Sequence, residues 1–554
     1  MSKRAPSTTP PSSSPEAPVA TEVVKRARAT LAALPPLEPA PRPDLGLETS
    51  TPRPPGPSTP GPATHGGRVG RSRRELLRGL TGGSAPAALS AAKVGDRKPR
   101  TAVHALVDRI TQGFQLEELQ RAEALGYRAY LEEQLDPDSI DDSATDARLA
   151  NFPTLSMSPK ELTDTYAMDT EIPFMELKGA TLVRAVHSKR QLFERMVEFW
   201  SDHFSIDHQK DPMWALKSED DRDVIRRHAL SSFPELLHAS AKSGAMLYYL
   251  DNWLNLTGAV QENYARELLE LHTLGVNGGY TERDVKEVAK VFTGWSLGLD
   301  ASSPDYLRFQ FRRTWHQPTR KVVLGQVISK FSYRRGGEAV LDLLAMHPST
   351  AVHISTKMIR WLLTDTPPQS LVDEVSGTYL ATGGDIKSMI RVILAPRNLR
   401  PGSKVVTPRF KRPAHLVASL LRGLDAEVYD PQYLVYYLGT MGHSPFDWSP
   451  PNGYPDSVAA WGSSLLPRWS FASHLVAGGI PGVQIPLGKV LQKLGNFEPE
   501  GLAARIDERL LGGSLSAADR GRVRAFLAGR APIVWPDVFE AIGLAASAPG
   551  YQWY

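Results

Sequence analysis

Cysteine is absent from all 554 residues, which removes disulfides, thiolate zinc sites and cysteine nucleophiles together. Any metal must therefore be held by His, Asp or Glu. A chain without thiols also suits an oxidising compartment, where nothing can mispair. Long apolar runs are missing too: no stretch approaches the ~20 residues of a membrane-spanning helix, so no integral membrane segment is expected. A basic folded surface is the third absence. The net charge of +4 invites an anionic partner, but residues 1–100 carry 16 Lys/Arg against 7 Asp/Glu, which leaves 48 against 53 in the rest. The slightly acidic remainder argues against a general nucleic-acid binder, whose basic footprint belongs on the folded domain. There is no Gly-x-Ser-x-Gly elbow, no Walker motif and no sheet for a dinucleotide fold.

What is present is a hydrophobic content of 41%, enough for a large core. Residues 1–70 are instead dominated by Pro, Ser, Thr, Ala and Gly, as in Pro52-Arg53-Pro54-Pro55-Gly56-Pro57. Such a tract buries too little apolar surface to offset its conformational entropy and reads as a disordered extension, with one short helix predicted over Val23–Leu34. Residues 71–98 follow, with Arg71-Ser72-Arg73-Arg74-Glu75-Leu76-Leu77-Arg78 ahead of a Gly/Ala/Leu stretch and Ser90-Ala91-Ala92. An arginine pair before a weakly apolar segment resembles a twin-arginine export signal, which would deliver the folded protein to the periplasm or the exterior. The alternative is a short basic linker helix on a cytoplasmic protein.

From about Arg100 the apolar spacing is helical. Helices are predicted over Ala102–Ile110, Leu116–Leu135, Met175–Phe204, Arg222–Leu237, Gly244–Trp253, Gln261–Leu274 and Thr281–Thr293, and again over Gly336–Met346, Ala351–Leu363, Leu371–Leu380 and Ile386–Leu394. Alternation of the strand type is confined to Leu307–Arg312 and Lys321–Ile328, expected to pair as a hairpin around Trp315-His316. The fold class is mainly α: an irregular multi-helical core over 99–475 with a small β-hairpin insertion, then a C-terminal helical region over 476–554.

Several blocks carry a family resemblance. They are Arg195-Met196-Val197-Glu198-Phe199-Trp200-Ser201-Asp202-His203-Phe204, the run Gln261-Glu262-Asn263-Tyr264-Ala265-Arg266-Glu267-Leu268-Leu269-Glu270-Leu271-His272-Thr273-Leu274-Gly275, and Tyr280-Thr281 with Asp284 and Thr293-Gly294-Trp295. His347-Pro348-Ser349-Thr350-Ala351 and Pro451-Asn452-Gly453-Tyr454-Pro455-Asp456 complete the set. In order and combination, over roughly residues 105–475, the sequence resembles the bacterial family called domain of unknown function 1800. The resemblance implies a helical, usually exported protein with no established activity. Gln261 stands where the family pattern has Asn, and His272 where relatives often carry an aromatic residue.

On a helical projection, Glu262, Asn263, Arg266, Glu267 and Glu270 share one face of the Gln261–Leu274 segment. Glu267 and Glu270, at i and i+3, can chelate a divalent metal or act as an acid/base pair. The bland alternative is a solvated ladder of Glu262, Arg266 and Glu270. His272 falls on the apolar side, as do His203 and His228. Three inward imidazoles need partners, and a shared divalent metal or a haem would supply one, with His208 as a further ligand. The segment Leu271–Gly275 also resembles the proximal-histidine segment of haem peroxidases over five residues. His316 and Lys321 are candidate substrate contacts at an exposed hairpin tip, and Asp251-Asn252 reads as a cap or turn. The loop carrying Trp448, Asn452, Tyr454 and Asp456 offers aromatic faces beside a carboxylate and an amide, suited to a polysaccharide or a protein partner. Two functions remain open: a metal- or cofactor-dependent enzyme built on the Glu-rich face, and a non-catalytic envelope protein that binds a polymer or partner.

Overall fold

The computed structural model describes residues 101–168, 170–530 and 532–554. The Pro-rich extension, its Val23–Leu34 helix and the arginine-pair leader lie outside them. Helices dominate, and strands form only three two-stranded antiparallel sheets among the described residues. The chain is mainly α with small hairpins.

Several segments expected as single helices are divided, each for a local reason. Gly126, at φ +80°, separates Leu116–Leu125 from Tyr127–Leu135 by taking a backbone conformation that side chains disfavour. Met175–Phe204 is two helices, Ile172–His187 and Gln191–His203. Between them the buried Asp142 carboxylate accepts from Ser188 Oγ at 2.7 Å and from Lys189 N at 2.9 Å, which fixes the turn. Arg222–Leu237 resolves into a π-helical turn over Asp220–Arg226 and an α-helix over Phe233–Ala241, opened by a Ser232/Glu235 capping box. Gln261–Leu274 is α-helical only over Asn263–Glu267 and widens to π over Leu268–Thr273, where Leu274 N donates to Leu269 O at 3.0 Å. The projection at 100° per residue therefore loses phase beyond Glu267. Thr281 caps Glu282–Val291 in a box with Asp284, as its spacing predicts.

The expected pairing of Leu307–Arg312 with Lys321–Ile328 does not form. Strand β2 (Phe309–Phe311) pairs instead with β1 (Trp295–Leu297), while β3 (Lys321–Val323) and β4 (Gln326–Ile328) make their own hairpin across Leu324-Gly325. The turn-prone Leu324-Gly325 pair, both residues at positive φ, closes that hairpin inside what alternation alone presents as one strand. The outer edge of β3 is covered by carboxylates of the Glu282–Val291 helix: Val322 N donates to Glu287 Oε2 at 3.0 Å and Leu324 N to Asp284 Oδ1 at 2.8 Å. The remaining pair, β5 (Glu427–Val428) with β6 (Val483–Gln484), joins two C-terminal loops.

Buried apolar side chains gather in two large clusters, one drawn from residues 106–399 and one from 182–551. The Ile172–His187 helix serves both, with Phe174 in the first and Leu182, Val183 and Val186 in the second. The Gln191–His203 helix is tied by Trp200 Nε1 to Ala229 O at 3.0 Å and by Trp361 Nε1 to the carbonyl of Arg195 at 3.0 Å.

Candidate ligand-binding site

A small cavity of about 80 Å³ opens between these two helices and the 443–454 loop. By the same measure a single water needs ~10–15 Å³, so the space suits several waters or a small head group. Glu198, Ser201 and Asp202 reach it from one face of the Gln191–His203 helix, at the i, i+3, i+4 spacing that aligns side chains. Phe446, Trp448 and Tyr454 supply aromatic walls from the loop. The loop is pinned: Tyr454 Oη donates to Ser444 O at 2.6 Å, and Trp448 Nε1 to Asn452 Oδ1 at 3.0 Å. His443 also lines the cavity and accepts from Ala414 N through Nδ1 at 3.1 Å. Burial, then the nearby Arg412 and Arg468, holds its ring neutral, well below the usual histidine range.

Behind the cavity stands a lattice of buried charge. Arg412 donates to Asp202 through Nη1 and reaches Asp456 Oδ1 with Nε at 3.3 Å, which couples the Gln191–His203 helix to the loop end. Asp456 also pairs with Arg409. Glu198 accepts from Gln112 Nε2 at 2.8 Å and from Arg195 Nη1 at 3.3 Å, both through Oε2. Its other oxygen, Oε1, is buried and accepts no hydrogen bond; the Arg412 guanidinium is 3.8 Å from it. Trp361 lies between Arg195 and Arg412, whose guanidinium carbons sit 4.3 and 4.8 Å from its ring centroid. Burial pushes the Asp202 carboxyl up, and Arg412 pulls it back.

On the far side of Asp202 is a second polar cluster. Lys357 Nζ donates to His203 Nδ1 at 2.8 Å, and His203 Nε2 bonds the carbonyl of His272 at 3.1 Å. An ammonium at Nδ1 and a carbonyl at Nε2 together select the neutral Nε2–H tautomer. His353 Nε2 bonds Leu271 O at 3.1 Å. Burial is the main cause that lowers Lys357 to about 8, His353 to about 4 and His272 to about 3.

The Glu-rich face has other commitments. Arg266 makes a two-pronged contact with Glu282 at 2.7 and 2.8 Å and lies 3.8 Å from Glu262, and Tyr280 Oη donates to Glu270 Oε2 at 3.4 Å. Asn263 is exposed at the helix start. Burial, then Glu270, pushes the Glu267 carboxyl up. His203 and His272 are buried as their phase predicts, but His228 is only half-buried, with its Nδ1 3.4 Å from Ser231 Oγ. His208 Nδ1 sits 2.6 Å from Asp447 Oδ1. No group of three or more His, Asp or Glu among the described residues is arranged to hold a metal ion. His316 and Lys321 are not at an exposed tip: both are buried, Lys321 Nζ donating to Gln317 O at 2.5 Å, because the hairpin that forms turns at Leu324-Gly325 and has Lys321 at its base. Asp251 takes a left-handed turn conformation at φ 61°.

A family model described as a protein of unknown function, DUF1800, matches residues 105–553. The chain belongs to the DUF1800 family. No curated protein and no solved structure matches it. The match runs beyond the blocks recognised in the sequence, through the C-terminal helices to the segment that carries Trp553. In this DUF1800 protein the blocks Arg195–Phe204 and Pro451–Asp456 meet at one place, through Arg412. Glu198 and Asp202 were within reach of sequence reasoning, since they sit four residues apart on one helical face. Lys357, Arg409 and Arg412 carry no local signal, and only tertiary packing brings them in. No described helix is long and apolar enough to cross a membrane.

Proposed function

We propose that the cavity beside Glu198 is a binding site for a small organic cation, such as a protonated amine borne on a larger polar molecule. The observation that carries this reading is Glu198 Oε1, a buried carboxylate oxygen without a hydrogen-bond donor beside aromatic walls. A buried acceptor left unpaired costs roughly 1–3 kcal/mol, and a ligand N–H would recover it. The lining supports the same charge sign. Glu194, Glu198, Asp202 and Asp221 line the space beside one lining cation, Arg226, which pairs with Glu194 at 2.5 Å. Arg412, behind the lining, pairs with Asp202 and stands 3.8 Å from Glu198, so Glu198 Oε1 is the oxygen left to accept from a ligand N–H. Aromatic faces at Phe446, Trp448 and Tyr454 add cation–π attraction of about 0.5–2 kcal/mol. A polymer or protein partner bearing such an amine fits the same reading.

The test is calorimetry and thermal-shift measurement with ethanolamine and glucosamine beside their neutral counterparts, ethylene glycol and N-acetylglucosamine. Cations should bind and raise the melting temperature, with the effect lost in Glu198→Gln and Trp448→Ala. Equal binding of neutral counterparts would sink the charge argument, and no response to any of them would remove the site.

Acid/base chemistry at Glu267 is a second reading, supported by the upward push on its carboxyl from burial and Glu270. Twin-arginine export to the periplasm or beyond is supported by Arg73-Arg74 ahead of a weakly apolar stretch. Cell fractionation of an Arg73→Lys/Arg74→Lys variant tests it: retention in the cytoplasm is the expected result.

A further inference from the structure

We propose that the β3–β4 hairpin and the turn after it form a docking surface for a bilayer containing anionic lipid. Residues 306–337 hold eight Lys/Arg and no Asp/Glu, inside a region, 101–554, that is slightly acidic as a whole. Five of the eight are exposed: Arg313, Arg320, Lys330, Arg334 and Arg335. The others are engaged elsewhere. Arg308 pairs with Glu219, Arg312 donates to Leu297 O, and Lys321 is buried. The acids beside the exposed set already have partners: Glu338 is 3.5 Å from Arg334 and shared with Lys242, and Asp284 and Glu287 accept from amides of the hairpin.

Apolar side chains project from the middle of this charge. Phe331 is 70% exposed and Val327 54%. The register Val322↔Val327 puts both valines on one face of the hairpin, and two-residue periodicity adds Arg320 to that face. Phe331 is presented by a Ser turn, in which Ser329 Oγ accepts from Phe331 N at 3.3 Å and Ser332 Oγ donates to Ser329 O at 2.6 Å. Lys330 lies over the Phe331 ring at 4.9 Å. The hairpin is also held firmly to the body of the protein, since Asp284 and Glu287 bind its β3 edge.

Exposed cations flanking a projecting Phe and Val match the two rewards a bilayer surface offers, attraction to acidic head groups and burial of apolar side chains at the acyl boundary. A single-stranded nucleic acid asks for a row of stacking rings along a basic groove. The rings of this turn, Phe331 and Tyr333, each already carry a cation, Lys330 at 4.9 Å and Arg313 at 4.5 Å from the ring centroid, and they do not make such a row. The surface lies on residues that do not line the Glu198 cavity, so its test is independent of the function proposed above.

The experiment is co-sedimentation of the full chain with vesicles of phosphatidylglycerol mixed into phosphatidylcholine, and of phosphatidylcholine alone, at low and raised salt. Binding is expected to need phosphatidylglycerol and to weaken with salt. Arg335→Gln should lower partitioning about fivefold and Lys330→Gln/Arg335→Gln about 25-fold, one exposed cation each. Phe331→Ser should lower it about tenfold and leave the salt dependence in place. All three residues are exposed, so melting temperatures should stay at the wild-type value. Vesicle binding unchanged in these variants would put the contact elsewhere, on residues 1–100 for instance, and overturn the proposal. Wild-type binding that anionic lipid does not raise would do the same, as would loss of single-stranded oligonucleotide binding in Arg335→Gln without any vesicle binding.

Discussion

Gly453 lies against the carbonyl of Asp202 so closely that a Cβ built on it would fall 2.2 Å from that oxygen. It also holds φ at +75°, a region glycine enters without strain. The close approach lets the loop carrying Trp448 and Tyr454 seat directly on the helix carrying Glu198 and Asp202. Gly453→Ala should therefore cost at least about 2 kcal/mol of stability, read from denaturant midpoints, and should also abolish ligand binding at the cavity. A variant of unchanged stability would mean that the loop can seat in another way.

Buried neutral histidines set the acid limit of the fold. His272 and His353 are lowered to about 3 and about 4, against ~6.5 when unfolded. Both folded values are depressed, so the unfolded state binds more protons below pH ~6.5. Their stabilising contribution is complete above that pH and is lost progressively as pH falls towards 4 and then 3. The fully buried His272 alone should account for about 1.4 kcal/mol per unit in that window. Urea titrations between neutral pH and pH 4 should show this slope, reduced in His272→Phe.

The alkaline side carries the opposite face of the same physics. Lys357 is lowered to about 8 mainly by burial, so between that value and ~10.4 the unfolded chain holds a proton the folded one has released. Stability from this group therefore rises with pH across that interval. Lys357→Met should remove the rise, and comparison of wild-type and variant melting curves from pH 8 to ~10 checks it.

At the Glu-rich face two substitutions should part company. Arg266→Ala removes an exposed pair with Glu282 and should cost no more than about 1 kcal/mol. Glu267→Gln removes a carboxylate whose charged form is disfavoured by burial and by Glu270, so near neutral pH it should leave stability unchanged or slightly higher. A large loss in Glu267→Gln would show that the charge is needed, against the upward push that supports the acid/base reading of that residue.

Helix content was legible because apolar residues recur every three or four positions from Ala102 onward, and the Thr281 box because it is spelled out within four residues. The divisions were not. The turn at Ser188–Arg190 depends on Asp142, some forty-six residues away, and no window along the chain contains both. The π turn over Leu268–Thr273 leaves composition untouched and changes only phase, so nothing in the sequence announces it, although His272 is still buried on the side its projection gives. The Glu198 cavity was half visible. Its carboxylates share a helical face, and its aromatic residues share a loop, but the arginine that joins them, Arg412, sits in neither segment.

Strand β3 also bears on solution behaviour. An unpaired strand edge beside exposed Val327 and Phe331 is a template on which a second molecule can add its own strand. Asp284 and Glu287 already occupy two of its outward amides, and the surrounding arginines repel an identical copy. On its β3 side the molecule can thus display an adhesive patch to its surroundings and still resist adding a strand of its own kind, as long as those two carboxylates are intact.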